Sequence, residues 1–172
     1  DQLTPGCQTY GFLYNTGEIN AVTTVESCKE YLDSIGLSYE EAVVTNSSEV
    51  QQAAQSLVGK VDAFFIPNDS VIQSAMNLVS EVAREAGIPA YCSSNTTVES
   101  GGFATVAISD TQIGAITADM AMEYLGGKEI EDIPSVVVPA TDVVINKTTA
   151  EIIGAEIPED IAASAILVED AQ

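Results

Sequence analysis

Three short stretches share one pattern: Ser48-x-x-Gln51, Ser70-x-x-Gln73 and Ser109-x-x-Gln112. At a helix start, a Ser hydroxyl accepts from an orphan backbone amide while the Gln reaches back to the amide of the cap, an arrangement known as a capping box. Each stretch follows an apolar run that reads as a strand. The three starts therefore belong to one sheet edge, together with the turn residues Asn15, Thr16, Asn46, Ser47, Asn68 and Asp69. Helix starts carry unpaired N–H groups and partial positive charge, which suit a carboxylate or phosphate. Asp69, just ahead of a helix, is either the cap of that helix or the partner of a ligand's ammonium group. Amides for a carboxylate plus one acid for an amine describe an amino-acid site. Capping boxes that only stabilise their helices describe none, and the sequence leaves both open.

Covalent chemistry finds little support. The chain contains no His, which removes His-based acid/base catalysis, His-containing triads and most zinc sites. Cys7, Cys28 and Cys92 show no CxxC spacing, and Cys28 and Cys92 fall on apolar faces, as small buried hydrophobes do. A Cys7–Cys28 bridge stays open. An enzyme would rest on Cys92 or Asp69, neither with a paired base. No G-x-G-x-x-G follows a strand, there is no P-loop, and the first strand ends in Tyr14-Asn15 without the acid pair of a phosphoacceptor. No cofactor or metal is expected. The 26 acids against 5 basic residues give a net charge of −21, so DNA, RNA and anionic membranes are poor partners. Asn46-Ser47-Ser48, Asn68-Asp69-Ser70, Asn95-Thr96-Thr97 and Asn146-Lys147-Thr148 match the N-glycosylation pattern and read as coincidence in Asn/Ser/Thr-rich turns.

The elements that must position these residues are legible from periodicity. At 172 residues with 46% hydrophobic composition, the chain is of single-domain size and can bury a core. Strands are expected at 8–14, 38–44, 61–67, 89–92 and 103–108. Helices are expected from Val22 to Gly36, Ser48 to Gly59, 71–86 and 111–125. The segment 93–102 is a loop with one helical turn after Thr97. Beyond an acidic linker at 128–134 come short strands at 135–138 and 142–145, a weak helix near 148–153, and a helix or strand at 161–168. Alternating strands and helices predict an α/β fold with a parallel, doubly wound, flavodoxin-like sheet, whose carboxyl edge is where such sheets bind ligands. No apolar run approaches the roughly 20 residues of a membrane span. With no signal peptide ahead of Asp1, the sequence reads as a mature chain or an excised piece.

The same residues resemble the ABC-transporter substrate-binding proteins of the tryptophan/tyrosine-type group, which have the type 1 periplasmic-binding-protein fold. The likeness is carried by Gly11-Phe12-Leu13-Tyr14-Asn15 with Glu18 and Asn20, by Asn46-Ser47-Ser48-Glu49-Val50-Gln51-Gln52-Ala53-Ala54, by Val61-Asp62-Ala63 with Ile66-Pro67-Asn68-Asp69, and by Ile88-Pro89. Val144-Ile145-Asn146 and Ile157-Pro158 follow in the family's order. It covers nearly the whole chain, but only the later part of such a protein.

The resemblance implies one α/β lobe at 1–105, a segment at 106–140 that would pack on the absent first lobe, and a return to the second lobe at 141–172. It implies a non-catalytic solute receptor that binds an amino acid or similar small polar molecule and presents it to an ABC permease. The implied location is extracytoplasmic, either periplasmic or lipid-anchored. The carried-over site is Asn15, Thr16 and Asn20 at the first helix start, Asn46 and Ser47 at the second, Asn68 and Asp69 at the third, and Ser94 in a loop where the family often has an acid. Val106-Ala107-Ile108-Ser109-Asp110 departs from the family's Gly-Ile-Asp-aromatic run. Without its partner lobe, the 106–140 segment is expected to fold back or to exchange between two chains in a homodimer, and the isolated chain is expected to bind weakly. The rival reading is the effector-sensing domain of a transcription regulator, which shares the fold but needs a DNA-binding headpiece that these residues do not contain.

Overall fold

A computed structural model describes residues 2–170. Its first half follows the expected alternation. Strand β1 (Thr9–Asn15) leads into α1 (Ile19–Ile35), which stops at Gly36. There φ is +74°, and the Gly36 amide bonds back to the last turn while Leu37 N–H donates to the Leu32 carbonyl. Strand β2 (Ser38–Val44) is followed by a 3₁₀ turn, Ser47–Glu49, and then α2 (Val50–Leu57). Val50, Ala54 and Leu57 are buried along α2, as its apolar spacing predicts. Strand β3 (Ala63–Ile66) is shorter than expected. Asp62, just ahead of it, accepts from the Gln8 and Thr9 amides at 2.8 and 2.9 Å and aligns β1 with β3.

The long helix expected at 71–86 is two helices, α3 (Ser70–Ser74) and α4 (Met76–Ala86), broken at Ala75 with φ −121° and ψ 20°. The break lets Ile72, Ala75, Met76 and Val79 all face the core. Then come β4 (Ala90–Cys92), a helical turn α5 (Asn95–Glu99) earlier than expected, β5 (Ala104–Ala107) and α6 (Asp110–Leu125). No strand forms at 135–138 among the described residues. Val136 and Val137 are exposed there and have no neighbouring strand to bond. Strand β6 (Asp142–Asn146), α7 (Lys147–Ile153), α8 (Glu159–Ala162) and β7 (Ile166–Val168) complete the chain, so 161–168 is part helix and part strand.

The seven strands form one sheet in the order β2-β1-β3-β4-β5-β6-β7. The first five run parallel, but β6 is antiparallel to β5, with Ala107 opposite Asp142 and Ala104 opposite Ile145. The sheet is thus mostly parallel, as expected of the α/β fold, with β5–β6 as its antiparallel pair. The physical reason lies in the path: a parallel neighbour needs a crossover to the far edge. Here the chain leaves β5 at the carboxyl edge and re-enters β6 at that same edge. The intervening excursion carries α6, none of whose residues is buried.

Right-handed crossovers divide the helices between the faces. One face packs α2, α3 and α4 on Leu13, Val44, Phe64, Ile66 and Val144. The other carries α1, whose Ala21, Val25 and Leu32 cover Phe12 and Tyr14.

Candidate ligand-binding site

In this strand order the connections turn opposite ways between β1 and β3, which opens a crevice at their carboxyl ends. Asn15 ends β1 and Asp69 follows β3 across that crevice. Asp69 is 1% exposed. Its Oδ1 accepts from the Val71 and Ile72 amides at 3.0 Å each, and its Oδ2 accepts from the Asn15 amide at 2.6 Å. Of its two expected roles, the cap is the one this geometry supplies. Both oxygens are engaged by backbone N–H groups, and the carboxylate joins the two loops.

Two further bonds stitch the same loops. Glu18, the residue before α1, accepts from the Ser70 amide at 3.0 and 3.1 Å and from the Ser70 hydroxyl. The Ser70 hydroxyl bond, followed by that from its amide, holds the Glu18 carboxyl below the usual carboxylate range. Asn20 Nδ2 donates to the Asn68 carbonyl at 2.7 Å. Within its own loop, Asn15 Oδ1 accepts from the Gly17 amide at 2.8 Å, a local turn that fixes the exit from β1.

The β4–α5 loop joins the row. Ser93 donates through both its amide and its hydroxyl to the Ile66 carbonyl, each at 3.1 Å. Ser94 caps α5 by accepting from the Thr97 amide at 3.4 Å. Gln73 Nε2 donates to Thr96 Oγ1 at 2.7 Å, tying α3 to α5. On the other flank, the Ser47–Glu49 turn follows β2 and packs beside α3. Asn46 Oδ1 accepts from the Ser48 amide at 3.0 Å, while Glu49 accepts from the Thr45 amide at 2.8 Å and from Asn46 Nδ2 at 3.0 Å.

Two of the three expected capping boxes are therefore built differently. Asn46 and Asp69, rather than Ser48 and Ser70, hold the extended cap positions, and Gln73 reaches sideways to another loop. Ser109 does cap α6, accepting from the Gln112 amide at 3.3 Å. The structure joins Asn15 to Asp69 and Asn20 to Asn68 by hydrogen bonds, with Thr16 in the same β1–α1 loop, Ser94 in the β4–α5 loop on one flank, and Asn46 and Ser47 in the loop after β2 on the other. Thr16, Asn20, Asn46, Ser47 and Asn68 are exposed, and Asn15 and Ser94 are half-buried. No Lys or Arg stands in these loops, so positive potential there comes only from the helix starts.

Residue-level reasoning assigned no role to Glu18, although an acid directly ahead of a helix is the same signal as Asp69. It also left Asn95 out of the site, although its buried Oδ1 has no partner. The enzyme reading loses its nucleophile: Cys92 is buried, and burial pushes its thiol up to about 12. All three cysteines are free. Among the described residues, no group of His, Cys, Asp and Glu could hold a metal ion, and no helix is long and apolar enough to cross a membrane.

Comparison with known proteins places this geometry in a family. The profile of the ABC transporter substrate binding protein family matches residues 1–169. The tyrosine-binding protein of Clostridioides difficile (strain R20291) is 38% identical over 147 residues, covering 86% of this chain and 43% of that protein. The ligand-free, open structure of a substrate binding protein with adhesive properties from Clostridium difficile superposes with a TM-score of 0.85 at 32% identity, over 98% of this chain and 57% of that one. An ABC domain in complex with L-Trp from Streptococcus pneumonia matches with a TM-score of 0.85 at 34% identity, over 97% of this chain and 57% of its own. A LacI family transcriptional regulator from Bifidobacterium animalis, at 11% identity and a TM-score of 0.60, shares the fold alone. The chain thus spans about half the length of the relatives it matches. It belongs to the ABC transporter substrate binding protein family.

Proposed function

We propose that this chain is one wall of the ligand cleft of an extracytoplasmic amino-acid receptor that serves an ABC importer. Its ligand is an amino acid, aromatic as in the tyrosine- and tryptophan-binding relatives. The observation that carries this reading is the row of polar loops on the carboxyl edge, joined through Asp69, Glu18 and Asn20. Asn15, Thr16, Asn20, Asn46, Ser47, Asn68 and Ser94 offer neutral hydrogen-bonding groups to the ligand, and Asp69 positions two of the loops. The 106–140 segment supports the same reading. It leaves and returns at this edge, and Ile113, Met122, Tyr124 and Leu125 are exposed on it, as expected of a segment that packs on a second lobe across the cleft.

The ABC permease, lipid anchoring and exchange of the 106–140 segment between two copies belong to this proposal as well. A pocket of this kind closes a ligand between two walls, so residues 1–172 alone bind weakly. Calorimetry with each of the twenty amino acids on the longest natural form of the protein tests the reading. Saturable binding of tyrosine or tryptophan is expected there, with little heat for the 172-residue chain. Absence of amino-acid binding by the longer form, or tight binding by the isolated chain, would overturn it.

A further inference from the structure

Six polar side chains are buried among the described residues, and four of them meet at α5. Thr97 belongs to that helix. The other three donate to carbonyl oxygens at its far end: Ser80 Oγ of α4 to Ser100, Asn146 Nδ2 at the end of β6 to Val98, and Thr149 Oγ1 of α7 to Gly101, each at 2.9 Å. Ser80 shares its proton with the Met76 carbonyl at 2.6 Å. Thr149 Oγ1 in turn accepts from Arg84 Nη2 at 2.6 Å, and Arg84 and Asn146 both donate to Asp170. The turn lies flush against α4, since a Cβ on Gly101 would come within 2.6 Å of Ser80 Oγ.

A helix of five residues closes little more than one turn and has no stability of its own, so its position is set by what its ends bond. The carbonyl end is held at the amino edge of the sheet, where Asn146 stands at the start of β5. The other end lies at the carboxyl edge among the candidate ligand groups. There Ser94 Oγ accepts from the Thr97 amide, Thr97 Oγ1 donates back to the Ser94 carbonyl at 2.8 Å, and Thr96 accepts from Gln73. Water satisfies the carbonyls of an exposed helix end and leaves the helix free to shift. Three buried donors from three different elements admit one position. Two of them come from 141–172, a stretch that holds no candidate ligand contact. On the reading of the carboxyl edge as a ligand-binding wall, we propose that Ser80, Asn146 and Thr149 are positioning residues for Ser94. They fix α5 from behind and so set where the Ser94 hydroxyl stands in the cleft, without touching the ligand themselves.

Thr149→Val keeps the shape of the side chain, removes the bond to Gly101 and leaves Arg84 paired with Asp170. Ser80→Ala, which deletes one hydroxyl from a helix, should act in the same direction and more weakly. Hydrogen exchange of the 172-residue chain reads the effect without any ligand. The Thr97 amide, capped by Ser94, should exchange at least about tenfold faster in Thr149→Val, while the amides of β1 and β3 change less. In the longest natural form, calorimetry with L-tyrosine and L-tryptophan should show Thr149→Val weakening binding by about three- to tenfold and Thr149→Ser restoring it. In a Ser94→Ala background the Val and Ser variants should bind alike, because the effect passes through Ser94. Native affinity in both Thr149→Val and Ser80→Ala would overturn the inference, as would losses at 94 and 149 that simply add. So would Thr97 exchange that rises no more than that of β1 and β3, since Thr149 would then have a stability role alone. If the longer form binds neither amino acid, the proposed function fails instead, and exchange at Thr97 alone decides whether the far end of α5 places Ser94.

Discussion

Asp69 and Asn15 meet across the mouth of the sheet, the carboxylate Oδ2 of one accepting from the backbone amide of the other at 2.6 Å. The bond joins the two loops at the point where the chain's connections reverse direction. Asp69→Asn keeps the size of the side chain but turns an acceptor into a donor that faces the Asn15 amide. With the group buried, the loss should be about 2 kcal/mol in urea unfolding, accompanied by weaker ligand binding in the longer protein. Unchanged stability would show that the loops are held by other means.

Thr16 and Ser47 are exposed on this edge, and their hydroxyls make no bond among the described residues. Thr16→Ala and Ser47→Ala should leave stability within about 0.5 kcal/mol. In the longer form each should weaken amino-acid binding by about three- to tenfold, the worth of one hydrogen bond, as read by calorimetry. Unaltered affinity in both variants would remove these residues from the ligand's surroundings.

Asp170 ties the end of the described chain to the core. It accepts from Arg84 Nη1 at 2.8 Å and Nη2 at 2.6 Å, and from Asn146 Nδ2 at 2.9 Å. The Arg84 hydrogen bonds, the largest cause, hold its carboxyl below the usual carboxylate range against a smaller opposing effect of burial. Since the folded-state pKa lies below the unfolded one, the contribution is complete above the unfolded value and fades as pH falls through the folded value. The melting temperature should drop on acidification, and Asp170→Asn should flatten part of that drop. Superimposable wild-type and variant pH profiles would refute the linkage.

Gly102 sits where a methyl group would meet Cys92 Sγ and would approach the Thr97 carbonyl oxygen to 2.9 Å. The backbone of α5 and a fully buried sulfur leave little room to yield. Gly102→Ala should therefore cost about 1–3 kcal/mol through overpacking. Gly114→Ala, at a helix position with open space around it, should stabilise slightly. Chemical denaturation of the pair checks both signs at once.

Much of this was legible in the residues because spacing and caps speak about local structure. The α1 stripe to Gly36, the β2 limits and the buried face of α2 all follow from it. The caps were misassigned by one or two positions because Asn46 and Asp69 compete with the Ser residues behind them and take the extended geometry. The break at Ala75 leaves no Gly or Pro to mark it. Val136-Val137-Val138 has strand propensity, but a strand exists only against a partner, and propensity cannot supply one. Likewise, the three apolar residues of β6, Val143, Val144 and Ile145, read the same in either direction. Their antiparallel course is set by where the excursion returns.

That return has an engineering consequence. Because Ala107 and Asp142 already face one another as antiparallel neighbours, residues 108–141 are topologically an insertion into a hairpin. A turn of about two to five residues is enough to join such strands. Such a join would keep all seven strands in their order, which makes this the port at which evolution or a designer can fit a different module.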